Sequence, residues 1–239
     1  MTTMRAVVIN VPAGVGPDAW SDCFKLAATH SEGGVFGLNE AFTPAQGDLY
    51  ERLADKLDLG RFGLAGPNPV FWDRDRLRRV RGTRRRLHGA ARGVLARQWP
   101  GFNAGREATD VVLADWTTGE ETAVICTHWA PQGPKVASRW RNRAHRVARR
   151  KVLKMIHRHL RAGRVVWLLG DFNVYAPVDL AAGIDPELGR FVWLTGHGVD
   201  KVGIALPRGH QLDDTSARTF KAPSDHKHGE KAKATWSSR

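Results

Sequence analysis

The sequence predicts an α/β protein in which a layered, mixed β-sheet core carries helices on its outside. Three observations carry that reading. Short apolar segments rich in Val and Ile recur along the chain, one long stretch repeats its apolar residues at helical spacing, and the two kinds of segment alternate irregularly. A doubly wound parallel sheet would require a strict βαβ order, which this chain does not keep.

Taken in order, Arg5 to Val11 (RAVVINV) reads as the first strand and Trp20 to His30 as a helix. Gly34 to Leu38 is a second strand, and Asp48 to Leu57 (DLYERLADKL) a helix that ends ahead of Gly60. Strand segments follow at Pro69 to Trp72, Val111 to Ala114 and Ala123 to Thr127. From Val136 onward, Trp140, Ala144, Val147, Val152, Met155, Ile156 and Leu160 recur at steps of one helical turn, and Gly163 stops the helix. Trp140 sits at an apolar position of this helix and is expected in the core. Its His145, His157 and His159 are expected to add polar surface. Val165 to Leu169 and Val199 to Leu206 complete the strands. Without a repeat or a linker rich in Gly, Pro or Ser, residues 1–239 read as a single domain with a polar, frayed C-terminal tail over about 229–239.

The 239 residues are 42% apolar, enough to bury a core, which excludes disordered and fibrous classes. The longest apolar run, Val165 to Leu169, is far below the roughly 18 residues of a membrane span, and the N-terminus lacks a signal-peptide layout. A cytoplasmic protein without membrane contact is therefore expected. Cys23 and Cys126 are the only cysteines and lie far apart, which excludes a disulfide framework and a structural zinc site.

Charge narrows the class further. Thirty-seven Lys and Arg against 24 Asp and Glu leave a formal charge of +13, which points to a polyanionic partner. The segment from Arg74 to Arg97 is dense in Arg with Asp75 as its one acid, and Thr122 to Gly170 holds no carboxylate. Solvated faces usually mix signs, so one-sided runs favour a phosphate-backbone surface. Arg139, Arg143, Arg146 and Arg150 recur at helical spacing and are expected to bind nucleic acid, together with Lys227.

The acids that matter close apolar strands, where a carboxylate must be hydrogen-bonded, paired or bound to a metal. Glu40 closes VFGLNE, Asp171 closes VVWLLGD with Asn173 two residues on, and Asp225 precedes His226 in a Ser-Asp-His turn. Singly, each also fits a cap, an Asx turn or a surface loop.

In chain order the set runs Asn10, Leu38-Asn39-Glu40, Thr127-His128, Gly170-Asp171-Phe172-Asn173, Val199-Asp200-Lys201, then Ser224-Asp225-His226. This order resembles the endonuclease/exonuclease/phosphatase superfamily, the DNase I-like and exonuclease III-like metal-dependent phosphoesterases. Pro69 to Val80 (PVFWDRDRLRRV) also looks like the family strand that carries an aromatic followed by Arg, and the resemblance spans residues 5–228. Asn39 stands where the family usually has Gln, and Lys201 where it usually has an aromatic.

The resemblance implies a four-layered sandwich of two packed mixed sheets flanked by helices. It implies Glu40 and Asp225 as ligands of Mg²⁺, with Mn²⁺ as a substitute, and Asn10 orienting a metal water or the phosphate. Magnesium asks for one or two protein carboxylates, which suits this set better than zinc would. Either Asp171 or the pair His226 and Asp200 would deprotonate the attacking water, with Asn173 and His128 donating to phosphate oxygens and His128 able to act as general acid. The charge selects DNA, double-stranded, among the substrates of this fold, and a monomeric nuclease of bacterial or phage type is expected. A small-molecule or inositide phosphatase is the alternative reading, and a nucleic-acid-binding protein with a decayed site is a third.

Overall fold

The computed structural model describes residues 1–41, 43–90, 105–131, 138–174, 179–195, 199–221 and 228–238. Its elements in chain order are β1 (Thr2–Asn10), α1 (Pro17–Ser31), β2 (Val35–Asn39), α2 (Pro44–Lys56), β3 (Leu59–Phe62), β4 (Val70–Asp73), β5 (Leu77–His88) and β6 (Arg106–Asp115). They continue with β7 (Glu121–His128), α3 (Ser138–Arg161), β8 (Val165–Asp171), β9 (Gly189–Trp193), β10 (Asp200–Pro207), β11 (His210–Lys221) and β12 (His228–Ser238).

The strands form two six-stranded sheets, ordered β11-β12-β1-β2-β4-β3 and β5-β6-β7-β8-β10-β9. Each is mixed, with one parallel pair at its centre: β1 with β2 in the first sheet, β7 with β8 in the second. Alternation along the strands sorts the core into three apolar layers. Met4, Ala6 and Val8 of β1 meet Val165, Trp167 and Leu169 of β8 between the sheets. Val7, Ile9, Phe36 and Phe71 pack outward against Phe24 of α1 and Tyr50 of α2. Val166 and Leu168 pack outward against Val152, Met155 and Ile156 of α3. Helices, sheet, sheet and helix thus give the four layers that the motif order implies.

Capping is explicit where α2 begins. Thr43 accepts from the Gln46 backbone N–H while the Gln46 side chain accepts from the Thr43 N–H, with Pro44 in the first turn.

The expected polar tail over 229–239 is a correction. His228–Ser238 is β12, hydrogen-bonded between β1 and β11, with Glu230, Ala232, Ala234 and Trp236 buried. Its inward positions carry mostly small Ala side chains and its outward positions Lys, so the alternation is real but low in contrast. His159 is a second correction. It is fully buried under α3, and its Nε2 lies 2.9 Å from Oδ1 of the buried Asp110 on β6. Trp140 is half-buried, its ring edge-on to His88 at 5.5 Å. Cys23 and Cys126 are buried and free. Among the described residues no helix is long and apolar enough to cross a membrane.

Candidate functional site

Parallel pairing at the centre of each sheet brings strand ends of like polarity to one rim of the sandwich. Asn10 and Asn39 are register partners at the ends of β1 and β2. His128 and Asp171 are partners at the ends of β7 and β8. Antiparallel β10 starts beside them, with Asp200 opposite Asp171. Asp171 is the hub where the two sheets meet.

Its backbone N–H and both carboxylate oxygens are hydrogen-bonded, each oxygen with acceptor capacity to spare. The Asp171 N–H donates to Asn39 Oδ1 at 2.9 Å, Oδ2 accepts from Asn10 Nδ2 at 3.1 Å, and Oδ1 accepts from the Asn173 N–H at 2.7 Å. Asn39 is itself locked, donating to Asn68 Oδ1 at 2.8 Å and to the Thr127 carbonyl at 3.2 Å. Asn68 then donates to the Glu107 carbonyl at 2.9 Å, which ties the rim to β6. The shorter amide at position 39 therefore reaches the backbone of Asp171 directly.

Glu40 and Asn173 are both held at positive φ, 64° and 52°. Asn tolerates that region and Glu does so at a cost, so the fold stores strain where it aims these side chains. His128 Nε2 lies 3.7 Å from Glu40 Oε1 and 3.7 Å from Asp171 Oδ2, acidic neighbours that the sequence alone did not reveal. Asn173 Nδ2 donates to the Trp129 carbonyl at 3.1 Å.

Burial sets the charge states. It raises Asp171 from 3.8 to about 6, a shift the Glu40 charge reinforces and the Asn173 N–H and the Arg106 and Lys201 charges oppose. Asp200 is pushed well up by burial first and then by Asp171, Glu230 and Glu40. Burial and the Arg106 charge hold His128 well below the ordinary imidazole range, so the ring is neutral in the free protein at pH 7 and can donate a hydrogen bond without carrying charge.

Arg106, at the start of β6, is the residue the sequence reading missed. Its guanidinium is buried, Nε donates to the Trp129 carbonyl at 3.2 Å, and its charge is felt by Glu40, Asp171 and His128. It lies near a dense Arg run, so nothing local marks it. Lys201, fully buried beside Asp200, is a second cation at the rim. Asp225, His226 and Lys227 lie outside the described residues.

Among the described residues no three His, Cys, Asp or Glu side chains gather as a metal-binding group. The donor set nonetheless fits a hard divalent cation that takes few protein ligands. Asn10 Oδ1 and Asp200 Oδ1 are buried oxygens without a hydrogen-bond partner among the described residues, and Glu40 stands partly exposed beside them.

Outside the rim, α3 starts next to it, with His145 Nε2 2.9 Å from the Ala130 carbonyl. Arg139, Arg143, Arg146 and Arg150 are all exposed. Arg143, Arg146 and Arg150 line, with Lys154, Arg161 and Gly183, a groove of about 820 Å³. The Arg run at 74–97 supplies β5, an edge strand whose Arg78, Arg79, Arg81, Arg84, Arg85 and Arg86 are exposed.

No protein-family profile and no curated protein sequence matches the chain. Solved structures do. An endonuclease/exonuclease/phosphatase protein from Bacteroides vulgatus superposes with TM-score 0.72 at 15% identity, over 99% of this chain and 100% of that one. A mannosyl-6-phosphatase of Bacteroides thetaiotaomicron superposes with TM-score 0.65 at 13% identity, covering 98% of this chain and 99% of its own. TDP2 of D. rerio, solved with a single-strand DNA product, gives TM-score 0.61 at 11% identity with complete coverage of both chains. The fold is that of the endonuclease/exonuclease/phosphatase proteins.

Proposed function

We propose that the protein is a divalent-metal-dependent phosphoesterase acting at the rim around Asp171, and that its substrate is the phosphodiester backbone of DNA. The observation that carries the first part is the convergence of Asn10, His128, Asp171 and Asp200 from four strands, with Glu40 just past the end of a fifth, onto one rim, where burial raises Asp171 to about 6. A carboxylate whose pKa sits near neutrality is matched to proton transfer.

A Mg²⁺ ion held by Glu40 and Asn10 Oδ1, with Asp225 where the motif order puts it, would supply Lewis-acid neutralisation of the developing phosphate charge. The chain's own residues do the rest. Asp171 Oδ2 takes the proton of the attacking water, whose oxygen forms the new P–O bond as the bond to the leaving oxygen breaks, and the leaving oxygen takes a proton from solvent water to depart as the alcohol. Neutral His128 donates an N–H to a non-bridging oxygen. Arg106 holds positive charge behind the site without direct contact with solvent.

The DNA assignment rests on charge: +13 overall, with the exposed arginines of α3 beginning beside the rim. A small phosphate ester needs no such field. The named relatives of this fold divide in the same way, one a mannosyl-6-phosphatase and another crystallised with single-strand DNA. The test is a substrate panel of closed-circular, linear, abasic and RNA polymers beside soluble phosphate esters, each in Mg²⁺ and in EDTA. Metal-dependent cutting of DNA with little phosphate release from esters supports the proposal; the reverse ranking selects the phosphatase reading.

A further inference from the structure

The outer face of the first sheet carries a second concentration of positive charge that the rim chemistry does not use. Its residues come from three adjacent strands. Arg5 on β1 is the register partner of Lys233 on β12, and Lys231 on β12 is the partner of Arg218 on β11. Lys231 and Lys233 are two apart on one strand and so share a face, about 7 Å from each other. Two like-charge pairs therefore sit directly opposite across neighbouring ladders, an arrangement that destabilises a sheet unless an anion answers it.

Little in the protein answers it. Glu32 pairs with Arg5. Among the described residues Arg218, Lys231 and Lys233 have no carboxylate within ion-pair distance. The carboxyl end of α1 adds only a fraction of a negative charge. His30 in its last turn takes a hydrogen bond from Lys231, Nζ to Nδ1 at 3.2 Å. Burial, then the Lys231 charge, holds that imidazole below its ordinary range, against an opposing pull from Glu32. The face is also concave. Arg5, His30, Lys231 and Lys233 are half-buried around a cavity of about 340 Å³ that Arg218 and Glu32 complete. Both lysines line this hollow, and the Lys231 ammonium is held against His30 at its edge.

The position relative to the rim is also informative. Lys231 pairs with Val7 and Lys233 with Arg5, three and five residues before Asn10 on β1. At about 3.3 Å per strand residue these are about 10 and 17 Å from the rim. Phosphates of one B-DNA strand wind about the axis and so lie farther apart in space than the axial rise of about 3.4 Å, which places these distances within a few nucleotides of a phosphate held at Asp171.

We infer that this hollow of Arg5, His30, Arg218, Lys231 and Lys233 is a second, non-catalytic phosphate site that holds the sugar-phosphate backbone of the substrate a few nucleotides from the cleaved bond. The inference rests on the DNA reading proposed above and deepens it. It assigns duplex contacts to both outer faces of the sandwich, the α3 arginines on one and this hollow on the other.

The test uses the full chain carrying Asp171→Asn, so that substrate is bound and not cut, with a 20-base-pair duplex titrated between 50 and 200 mM salt. Each lost phosphate contact removes about 0.9 from the log–log salt slope. Lys231→Gln with Lys233→Gln should flatten the slope by about one to two units, which shrinks the loss of affinity across that salt range by about 4- to 16-fold. Glutamine keeps the aliphatic packing of each stem, and the matched Lys231→Arg with Lys233→Arg variant should keep the wild-type slope, separating charge from fold. At constant ionic strength, inorganic phosphate is the second probe. An unchanged slope in the Gln variant, with normal duplex binding by its parent, overturns the inference and leaves the DNA reading standing. Stabilisation of the parent by millimolar phosphate combined with that unchanged slope also overturns it, and makes the hollow a site for free phosphate. A parent that binds no duplex at 50 mM salt overturns the inference and the DNA reading together.

Discussion

Replacing Asp171 with Asn should make the metal-free protein more stable, and by an amount that depends on pH. The ordinary aspartate pKa is 3.8 and burial raises it to about 6 in the folded chain. Below about pH 4 the side chain is protonated in both folded and unfolded states, and it contributes no difference. Between about pH 4 and 6 the folded chain holds a proton that the unfolded chain has released, so wild-type stability falls as pH rises. Above pH 6 the folded protein carries a desolvated charge at a cost of about 3 kcal/mol, at 1.36 kcal/mol per pKa unit. Asparagine has the same shape and no charge. Its amide would meet Asn10 Nδ2, and Asn10 can turn its side chain to present Oδ1, which has no partner among the described residues. The variant should therefore match the wild type near pH 4 and exceed it by about 3 kcal/mol at pH 8. For a chain of this size that is a rise of roughly 6 to 12 °C in Tm. Thermal unfolding followed by circular dichroism across that pH range, in EDTA, measures it. A difference in Tm that does not grow with pH refutes the desolvated-carboxylate account of this site.

Arg106→Gln removes the charge that opposes protonation of Asp171 and holds down His128. Both pKa values should rise, moving the acid limb of the pH–rate profile to higher pH; an unmoved limb would exclude Arg106 from the field of the site. Asn68→Ala removes one of the two oxygen partners of the Asn39 amide and the side-chain donor to the Glu107 carbonyl, so stability should fall by about 1–3 kcal/mol, with kcat reduced more than KM because the amide that anchors the Asp171 backbone is held less firmly. A loss of stability with unchanged kcat would reduce Asn68 to packing. Arg143→Gln with Arg150→Gln should weaken binding to all duplex sequences alike and flatten its salt slope by about one to two units, and an unchanged slope would return α3 to a solvated face.

What the sequence exposes and what it hides follow from where side chains spend their polarity. β8 (VVWLLGD) is legible because both its faces are buried, giving an uninterrupted apolar run that ends in a carboxylate. α3 is legible because it has one apolar stripe and a charged remainder. The carboxylates Glu40 and Asp171 are legible because a charged group at the end of an apolar run needs a reason to be there, whereas Asn10 and His128 are legible only through the motif order that resembles the superfamily. β12 is hidden because its inward Ala side chains and outward Lys side chains offer little contrast. β5 is hidden because, as an edge strand, it carries exposed arginines along most of its length. Arg106, Asn68 and His159 are hidden for another reason. Each is a common surface type whose role depends on partners distant in sequence: the rim carboxylates, Asn39 and Asp110 respectively. Only the tertiary fold brings those partners together.

The central claim, hydrolysis of DNA phosphodiesters at the Asp171 rim with Glu40 as a metal ligand, is tested most directly by nicking of closed-circular plasmid. The wild type should relax the plasmid in Mg²⁺ and not in EDTA. Glu40→Gln, which keeps the shape and removes the ligand charge, should lose that activity while retaining the wild-type circular dichroism spectrum. Undiminished nicking by Glu40→Gln at ordinary Mg²⁺, or nicking by the wild type that persists in EDTA, would contradict the account.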